Sequence, residues 1–399
     1  MSPPLFASVS SLGGVQPDLS PARNLLIDGG LRLPNGTPPS DALIFGCSGG
    51  IGFLYGAFSY SEFLTLTIVA RNQSMPDPTV ERLFDNLGVS VTKVNTGSAA
   101  VASKALRAAC DTGSSTLFTV GAGLLDYLGL EPELASMAPR VVRLVGYEQD
   151  VVWIDDLAGH PQLCSLAAFE SARGAIKKAR HQSIQLLEPL GPLDWPHTVL
   201  DAIVSGARDY DSPPVPQFAS NVGTAGLIKW SRLLTDHRNP KGWPRMFRCT
   251  SAAATALSRL TECLDIHYTS PGASRPLFAE FLGEASQLTG VDFSAPQALI
   301  EQSAQHWSAI VSRAREAHPN IERFAELSAT RKTLMRSGAT PESGRLISAE
   351  QANCVCDCDI LEEAAIETFR LIASEVSAIV ECEREAISML SVGGGHAQS

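Results

Sequence analysis

The sequence predicts an α+β N-terminal domain followed by an all-helical C-terminal domain. Three observations lead there. Between residues 41 and about 165, short apolar runs of strand character (64–70, 116–120, 141–146 and 151–154) alternate with segments of helical spacing. After about 165 the strand pattern stops, and helical spacing continues towards the C-terminus. Within 361–390, Leu361, Ala365, Phe369, Ile372, Val376, Ile379 and Val380 recur at i, i+3, i+4 intervals, the mark of a long amphipathic helix.

Residues 1–40 are rich in Pro, Gly and Ser and read as an irregular lead with one short helix around Pro21–Asp28. "DALIFGCSGGIGFLYGAF" (41–58) sets a short apolar run before a Gly-rich turn, and "LTLTIVARN" (64–72) follows as a strand. "DPTVERLFDNLG" (77–88) and "GSAAVASKALRAACDTG" (97–113) have helical spacing and end in Gly. "VVRLVGYEQDVVWIDD" (141–156) reads as a β-hairpin turning at Glu148–Asp150, expected in one sheet next to 64–70 and 116–120. "SLAAFESARGAIKKARHQS" opens the helical part, which Pro/Gly-rich loops break at 189–196, 211–216, 238–244 and 337–345. The expected division is a lead and first helix at 1–40, one domain at 41–188, and a helical domain at 189–399 carrying the long C-terminal helix.

At 399 residues the chain can bury two or three cores of ordinary size. A formal charge of −11 offers no basic stripe for phosphates, and "KKARH" (177–181) reads as one helix face, so no nucleic-acid partner is expected. The N-terminus lacks a basic start and an apolar core, so no signal peptide is expected. No window approaches about 18 uninterrupted apolar residues, so no membrane span is expected. The nine cysteines form no small-scaffold rhythm and are expected to be reduced in a cytoplasmic protein.

The Gly-rich turn admits three readings. It resembles the phosphate loop of an NAD(P)-dependent short-chain dehydrogenase. Such an enzyme needs a tyrosine with a lysine four residues on, and none of Tyr55, Tyr60, Tyr127, Tyr147, Tyr210 or Tyr268 has one. The glycines can instead let two backbone segments approach closely. They can also form a turn whose N–H groups stabilise an oxyanion.

Several stretches together resemble the family of butirosin biosynthesis protein H, over roughly residues 16–330. "DALIFGCSGGIGFLY" is similar to the family's F-G-L-G-G-G-I-G-F-x-Y segment. "VARN" and "DNLGVSVTKVNTGSAAVASKALRAACDTG" follow in the family's order, and "VVRLVGYEQDVVWIDDL" is similar to its hairpin. "NVGTAGLIKWSRLLTDHRNPKGWPRMF" and "SRPLFAEFLGEASQLTG" resemble its helical companion domain, with Trp230, Trp243 and Trp307 as core anchors. The resemblance implies a papain-like (cysteine-protease-like) N-terminal domain and acyl transfer from a carrier-protein thioester to an amine. Its machinery would be a Cys at a helix N-terminus, a His on the hairpin and an Asp orienting that His.

This chain departs from that pattern. Gln16 and Pro17 stand at the His-Cys positions, Arg140 stands where the hairpin His would, and only the acid keeps its type, at Asp155. No Cys precedes Cys47 and no His precedes His160. Cys47, in the Gly-rich turn ahead of Ser48, Gly49 and Gly50, is the candidate relocated nucleophile. Asp155 is the candidate acid. His160 is either a base near Asp155 or a surface turn residue. Ser48, Tyr55, Arg71 and Arg140 are the candidate substrate-binding residues: the arginines for a phosphopantetheine phosphate or a carboxylate, Tyr55 as a site hydroxyl or a core aromatic. "CVCDC" (354–358) lacks zinc-type spacing and nearby histidine, so no metal is expected, and no cofactor either.

The expected function is an acyltransferase-like enzyme of specialised, antibiotic-type metabolite biosynthesis, acting on a carrier-protein- or CoA-bound acyl thioester by amide formation, transfer or ring-closing release. Without a covalent intermediate, orientation alone would have to supply the rate. The alternatives are a catalytically degenerate binding or scaffold partner and, more distantly, the dehydrogenase. The C-terminal helix is expected to dock on its own domain or to pair two copies as a homodimer.

Overall fold

A computed structural model describes residue 6 and residues 9–59, 64–71, 78–130, 139–212, 216–248, 250–337 and 340–393. In chain order the elements are α1 (Leu19–Asp28), α2 (Asp41–Cys47), β1 (Leu54–Ser59), β2 (Leu64–Val69), α3 (Thr79–Asn86), β3 (Val91–Val94), α4 (Ala99–Thr112), β4 (Thr116–Gly121), β5 (Pro139–Glu148), β6 (Val151–Asp155), β7 (Gln162–Ser165), α5 (Leu166–Ala175) and β8 (Ser183–Leu186). Helices follow: α6 (Trp195–Tyr210), α7 (Gly223–Thr235), α8 (Trp243–Met246), α9 (Thr250–Glu262), α10 (Arg275–Thr289), α11 (Ser294–Glu316), α12 (Pro319–Ser337), α13 (Pro341–Cys356) and α14 (Glu362–Gly393). The architecture is α+β, with the larger sheet in the N-terminal half. The chain folds into two compact units. The first comprises Met1–Ile44, Met75–Asp194 and Thr330–Ala349, the second Phe45–Ser74, Trp195–Ala329 and Glu350–Ser399.

The first unit is built on a six-stranded sheet of order β3-β8-β4-β5-β6-β7, antiparallel at each pairing. The hairpin expected at 141–156 is β5–β6, and its turn is made by Gln149 at φ 55°. Both flanking helices carry sequence-coded ends. Ser98 accepts the Val101 N–H at the start of α4, and Gly113 closes it in the left-handed region at φ 63°. Ser165 caps α5 in the same way through Ala168 N–H. Leu106, Phe118, Val142, Leu144, Ile154 and Phe169 form the core between sheet and helices.

The second unit is a helical assembly holding one two-stranded antiparallel hairpin, β1–β2. Trp230 and Trp307 stack at 6.1 Å, and Trp243 joins them at 6.3 Å from Trp230, so the three expected anchors do form its core. The predicted C-terminal helix is α14. Ala365, Phe369, Ile372, Val376, Ile379 and Val380 are buried against the unit's own core, whereas Leu361 precedes the helix and is exposed.

Three sequence expectations are corrected. The run 64–70 does not lie beside 116–120 and 141–155; it pairs only with β1 and packs on α9 within the helical unit. A half-apolar strand pattern says nothing about which sheet receives it. Strands also continue beyond 165, since β8 is inserted between β3 and β4. Four residues, "SIQL", are too short to show a period. Finally, "KKARH" is not a helix face: α5 stops at Ala175, a 3₁₀ turn covers Lys177–Ala179, and Arg180 and His181 turn the chain at φ 50° and 52°.

Candidate functional site

The Gly-rich turn lies after a helix, α2, and before a strand, β1, the reverse of the strand–loop–helix order that presents a helix N-terminus to a dinucleotide. With the antiparallel sheet, this removes the dehydrogenase reading. The turn's N–H groups are already in use. Ser48 and Gly50 donate to Phe45 O, Gly49 to Gly46 O and Gly52 to Ala70 O, so none of the four is left for an oxyanion. The glycines instead allow close packing. A Cβ at Gly46 would fall inside the Phe281 ring, and one at Gly50, whose φ is +63°, would press on Phe278. Arg275, wholly buried on α10, seals the arrangement by donating to Gly52 O (3.1 Å) and Ala70 O (2.5 Å). Its other donors hold Glu383 at 2.7 and 2.8 Å.

Four sequence-nominated residues sit in this second unit. Cys47 is fully buried, and burial, with Glu284 adding to it, pushes its thiol up to about 12. A thiol so placed is protonated at neutral pH, and the N–H groups of Ser48, Gly49 and Gly50 beside it donate to main-chain carbonyls; the environment is that of a small core side chain. Ser48 is buried, and its hydroxyl donates back to Phe45 O at 2.7 Å. Tyr55 is a core aromatic stacked on Trp230. Its hydroxyl accepts from Trp243 Nε1 at 3.0 Å, and burial raises its pKa to about 12. Arg71 is buried rather than presented at a surface.

The other three belong to the first unit, where the chemistry concentrates at the end of β6. Arg140 and Arg143 are three apart on β5, and Asp155 and Asp156 are adjacent, so each pair points to opposite faces of its strand. The matching faces meet. Arg143 lies directly across from Asp155 in the β5–β6 register, and its Nε donates to Asp155 at 2.8 Å. Arg140 grips Asp156 with Nε (2.8 and 3.0 Å) and Nη2 (2.7 Å), and Tyr127 donates a further bond at 2.9 Å. Arg140 is thus a guanidinium clamped on a buried carboxylate.

Asp155 is fully buried. Besides Arg143 it accepts from Ser11 Oγ (2.8 Å) and Asn24 Nδ2 (3.1 Å). Burial outweighs these bonds and raises its carboxyl to about 6. His160 is exposed in the turn beyond β6, and none of the bonds to Asp155 comes from it, so the expected His–Asp dyad is not formed. Asp18, at the start of α1, accepts the Val141 N–H at 2.6 Å, which sets that helix terminus against the beginning of β5. The sequence reading missed Asp156, Tyr127, Arg143, Asn24 and Ser11. The doublet in "WIDD" and the two arginines of "RVVRL" were the available signals, legible only once the strand register is known.

Burial acts on other described thiols as well. Burial raises Cys164 to about 12 and Cys110 to about 11. Cys354 and Cys356 end α13, and Cys358 follows it; among the described residues no group of metal-ligating side chains converges. No helix among them is long and apolar enough to cross a membrane.

Comparison with known families agrees with this layout. No curated protein matches the chain. A family model described as "Butirosin biosynthesis protein H, N-terminal" matches residues 18–157, from the start of α1 to just past the Asp155–Asp156 pair. A second, described only as a domain of unknown function (DUF4872), matches residues 164–338. Residues 18–157 thus carry the butirosin biosynthesis protein H N-terminal domain, and residues 164–338 the domain of unknown function that follows it.

Proposed function

We propose that this chain is a non-covalent member of its family: a binding partner for an acyl thioester, on a carrier protein or CoA, in antibiotic-type metabolite biosynthesis. The family supports the biosynthetic setting. The first unit is read as a papain-like frame, because a helix N-terminus meets the start of a central antiparallel strand, as α1 meets β5 through Asp18 and Val141.

The Arg140–Asp156 pair carries the proposal. A guanidinium does not deprotonate in the range where proteins work, so it cannot serve as the base that activates a nucleophile. Pro17 provides no thiol, and the described thiols nearest in sequence, Cys47 buried and Cys110 half-buried, are held protonated at neutral pH. What remains is a shaped frame with one acid, Asp155, whose affinity for a proton is raised.

The test is intact-protein mass spectrometry after incubation with a short acyl thioester, beside a binding titration with acylated carrier protein and acyl-CoA. Binding without an acyl adduct is expected, in the wild type and in Cys47→Ala alike. An adduct in the wild type that is absent from Cys47→Ala would overturn the reading and restore Cys47 as nucleophile.

A further inference from the structure

Residues 10–14 run without regular structure across the end of β6, held mostly by side chains reaching up from the first unit. Ser10 N–H donates to Asp28 (2.9 Å), and Arg143 Nη2 donates to Ser10 O. Ser11 Oγ donates to Asp155 at 2.8 Å. Arg23 Nη2 donates to Gly13 O, and Arg336 Nη2 to Gly14 O at 3.1 Å. Ser11 Oγ also donates to Ala158 O at 3.5 Å, and Gly14 N–H donates to Leu157 O at 3.2 Å. Gly13 is required at its place: its φ is +64°, and a Cβ there would lie 3.1 Å from Gly159 N.

The segment covers its floor imperfectly. Asn24 Oδ1 and Arg23 Nε are buried beneath it with no hydrogen-bond partner, and each such atom costs about 1–3 kcal/mol. On the outer side Leu12 stays 54% exposed, so its side chain adds little burial. Opening would hydrate Asn24 Oδ1 and Arg23 Nε and uncover Asp155, offsetting much of what the anchoring contacts contribute. Such a balance belongs to the low-stability end of a folded protein.

We propose that Ser10–Gly14 is a hinged strap that opens while α1 and the sheet stay folded, and so gates access to Asp155 and Asn24. This goes beyond the functional reading and does not depend on it, because opening is measured with no thioester or carrier present.

The experiment uses the full chain. Hydrogen exchange at Ser10 and Gly14, whose N–H groups are bonded only in the closed strap, is compared with exchange at Leu25 and Leu26 inside α1. Carbodiimide labelling in native buffer reads the exposure of Asp155 directly. The strap amides are expected to exchange at least about a hundred-fold faster than the α1 amides. Ser11→Ala removes the bond to the Asp155 carboxylate and should raise both strap exchange and Asp155 labelling by about ten-fold, leaving α1 unchanged. Equal rates for strap and α1 amides in the wild type, or labelling of Asp155 only after denaturation, would overturn the proposal. The wild-type comparison decides the matter even if Ser11→Ala fails to fold.

Discussion

Arg140→Met separates two roles for this residue: a structural partner of Asp156, or a holder of a substrate phosphate or carboxylate. The methionine keeps the apolar stem and removes the guanidinium. Asp156, only 3% exposed, then keeps just the Tyr127 hydroxyl. A buried carboxylate stripped of its cation costs about 3–5 kcal/mol. Arg140 is itself only 12% exposed, so the upper half of that range applies. Asp156→Asn makes the mirror-image defect, leaving Arg140 without a charge partner, at similar cost. In the double variant neither charge is stranded, so its loss should fall short of the sum of the singles by about 2–3 kcal/mol. The assay is hydrogen exchange at the β5 and β6 amides across a mild urea series, which gives the opening free energy of this unit separately from the other. A loss below about 1 kcal/mol for Arg140→Met, with additive singles and weakened thioester binding, would refute the structural account and make Arg140 a ligand contact.

Three further outcomes are expected. Gly46→Ala, helpful by propensity alone in a helix, should destabilise the second unit by about 1–3 kcal/mol because its Cβ meets the Phe281 ring; urea denaturation followed by tryptophan fluorescence reads this, and a gain in stability would contradict it. Asp155 binds its proton more tightly folded (about 6) than unfolded (3.8), so its contribution of about 2–3 kcal/mol is fully present below about pH 4 and lost as pH rises through about 6. Stability of the wild type relative to Asp155→Asn should therefore fall over that window and then level off, and a difference curve rising with pH would be the opposite sign. Arg173 is buried over the Phe118 ring at 4.5 Å with one bond, to Ala102 O, while its Nε and Nη2 have no partner and burial lowers its affinity for the proton to about 10. Arg173→Met should raise the urea midpoint, and a loss above about 2 kcal/mol would show that the cation is needed.

How much of this was legible in the sequence depends on the range of the interaction. Features set by neighbours along the chain read directly: the Gly113 stop, the β5–β6 turn and the apolar face of α14. Features set by distant partners did not. β2 has ordinary strand composition, and only its docking on α9 and the Arg275–Glu383 pair, 108 positions apart in sequence, assigns it to the helical unit. β8 is invisible for the same reason, since four residues acquire strand identity only from β3 and β4 on either side. Of the candidate site, the sequence nominated Asp155 and Arg140 by position, without their partners. The place of Arg140 along the chain was read, but its bond to Asp156 was not, because partner choice follows from which strand faces oppose one another.

The glycines of "FGCSGGIG" and the arginine at 140 then argue in the same direction. A Gly-rich turn kept for an oxyanion would leave N–H groups pointing into open space, yet here Ser48, Gly49, Gly50 and Gly52 all donate to main-chain carbonyls and the missing side chains make room for Phe278 and Phe281. A base kept for catalysis would change its protonation near neutral pH, yet Arg140 holds a fixed charge against Asp156. Each feature that suggests chemistry in the sequence is used in the fold to hold segments together. The exception is Asp155, whose proton affinity is raised into the physiological range by burial and which the Ser10–Gly14 segment touches through Ser11. A frame stabilised so heavily elsewhere can tolerate one buried acid close to its titration point. The functional question for this chain therefore narrows to what reaches Asp155 when that segment lifts.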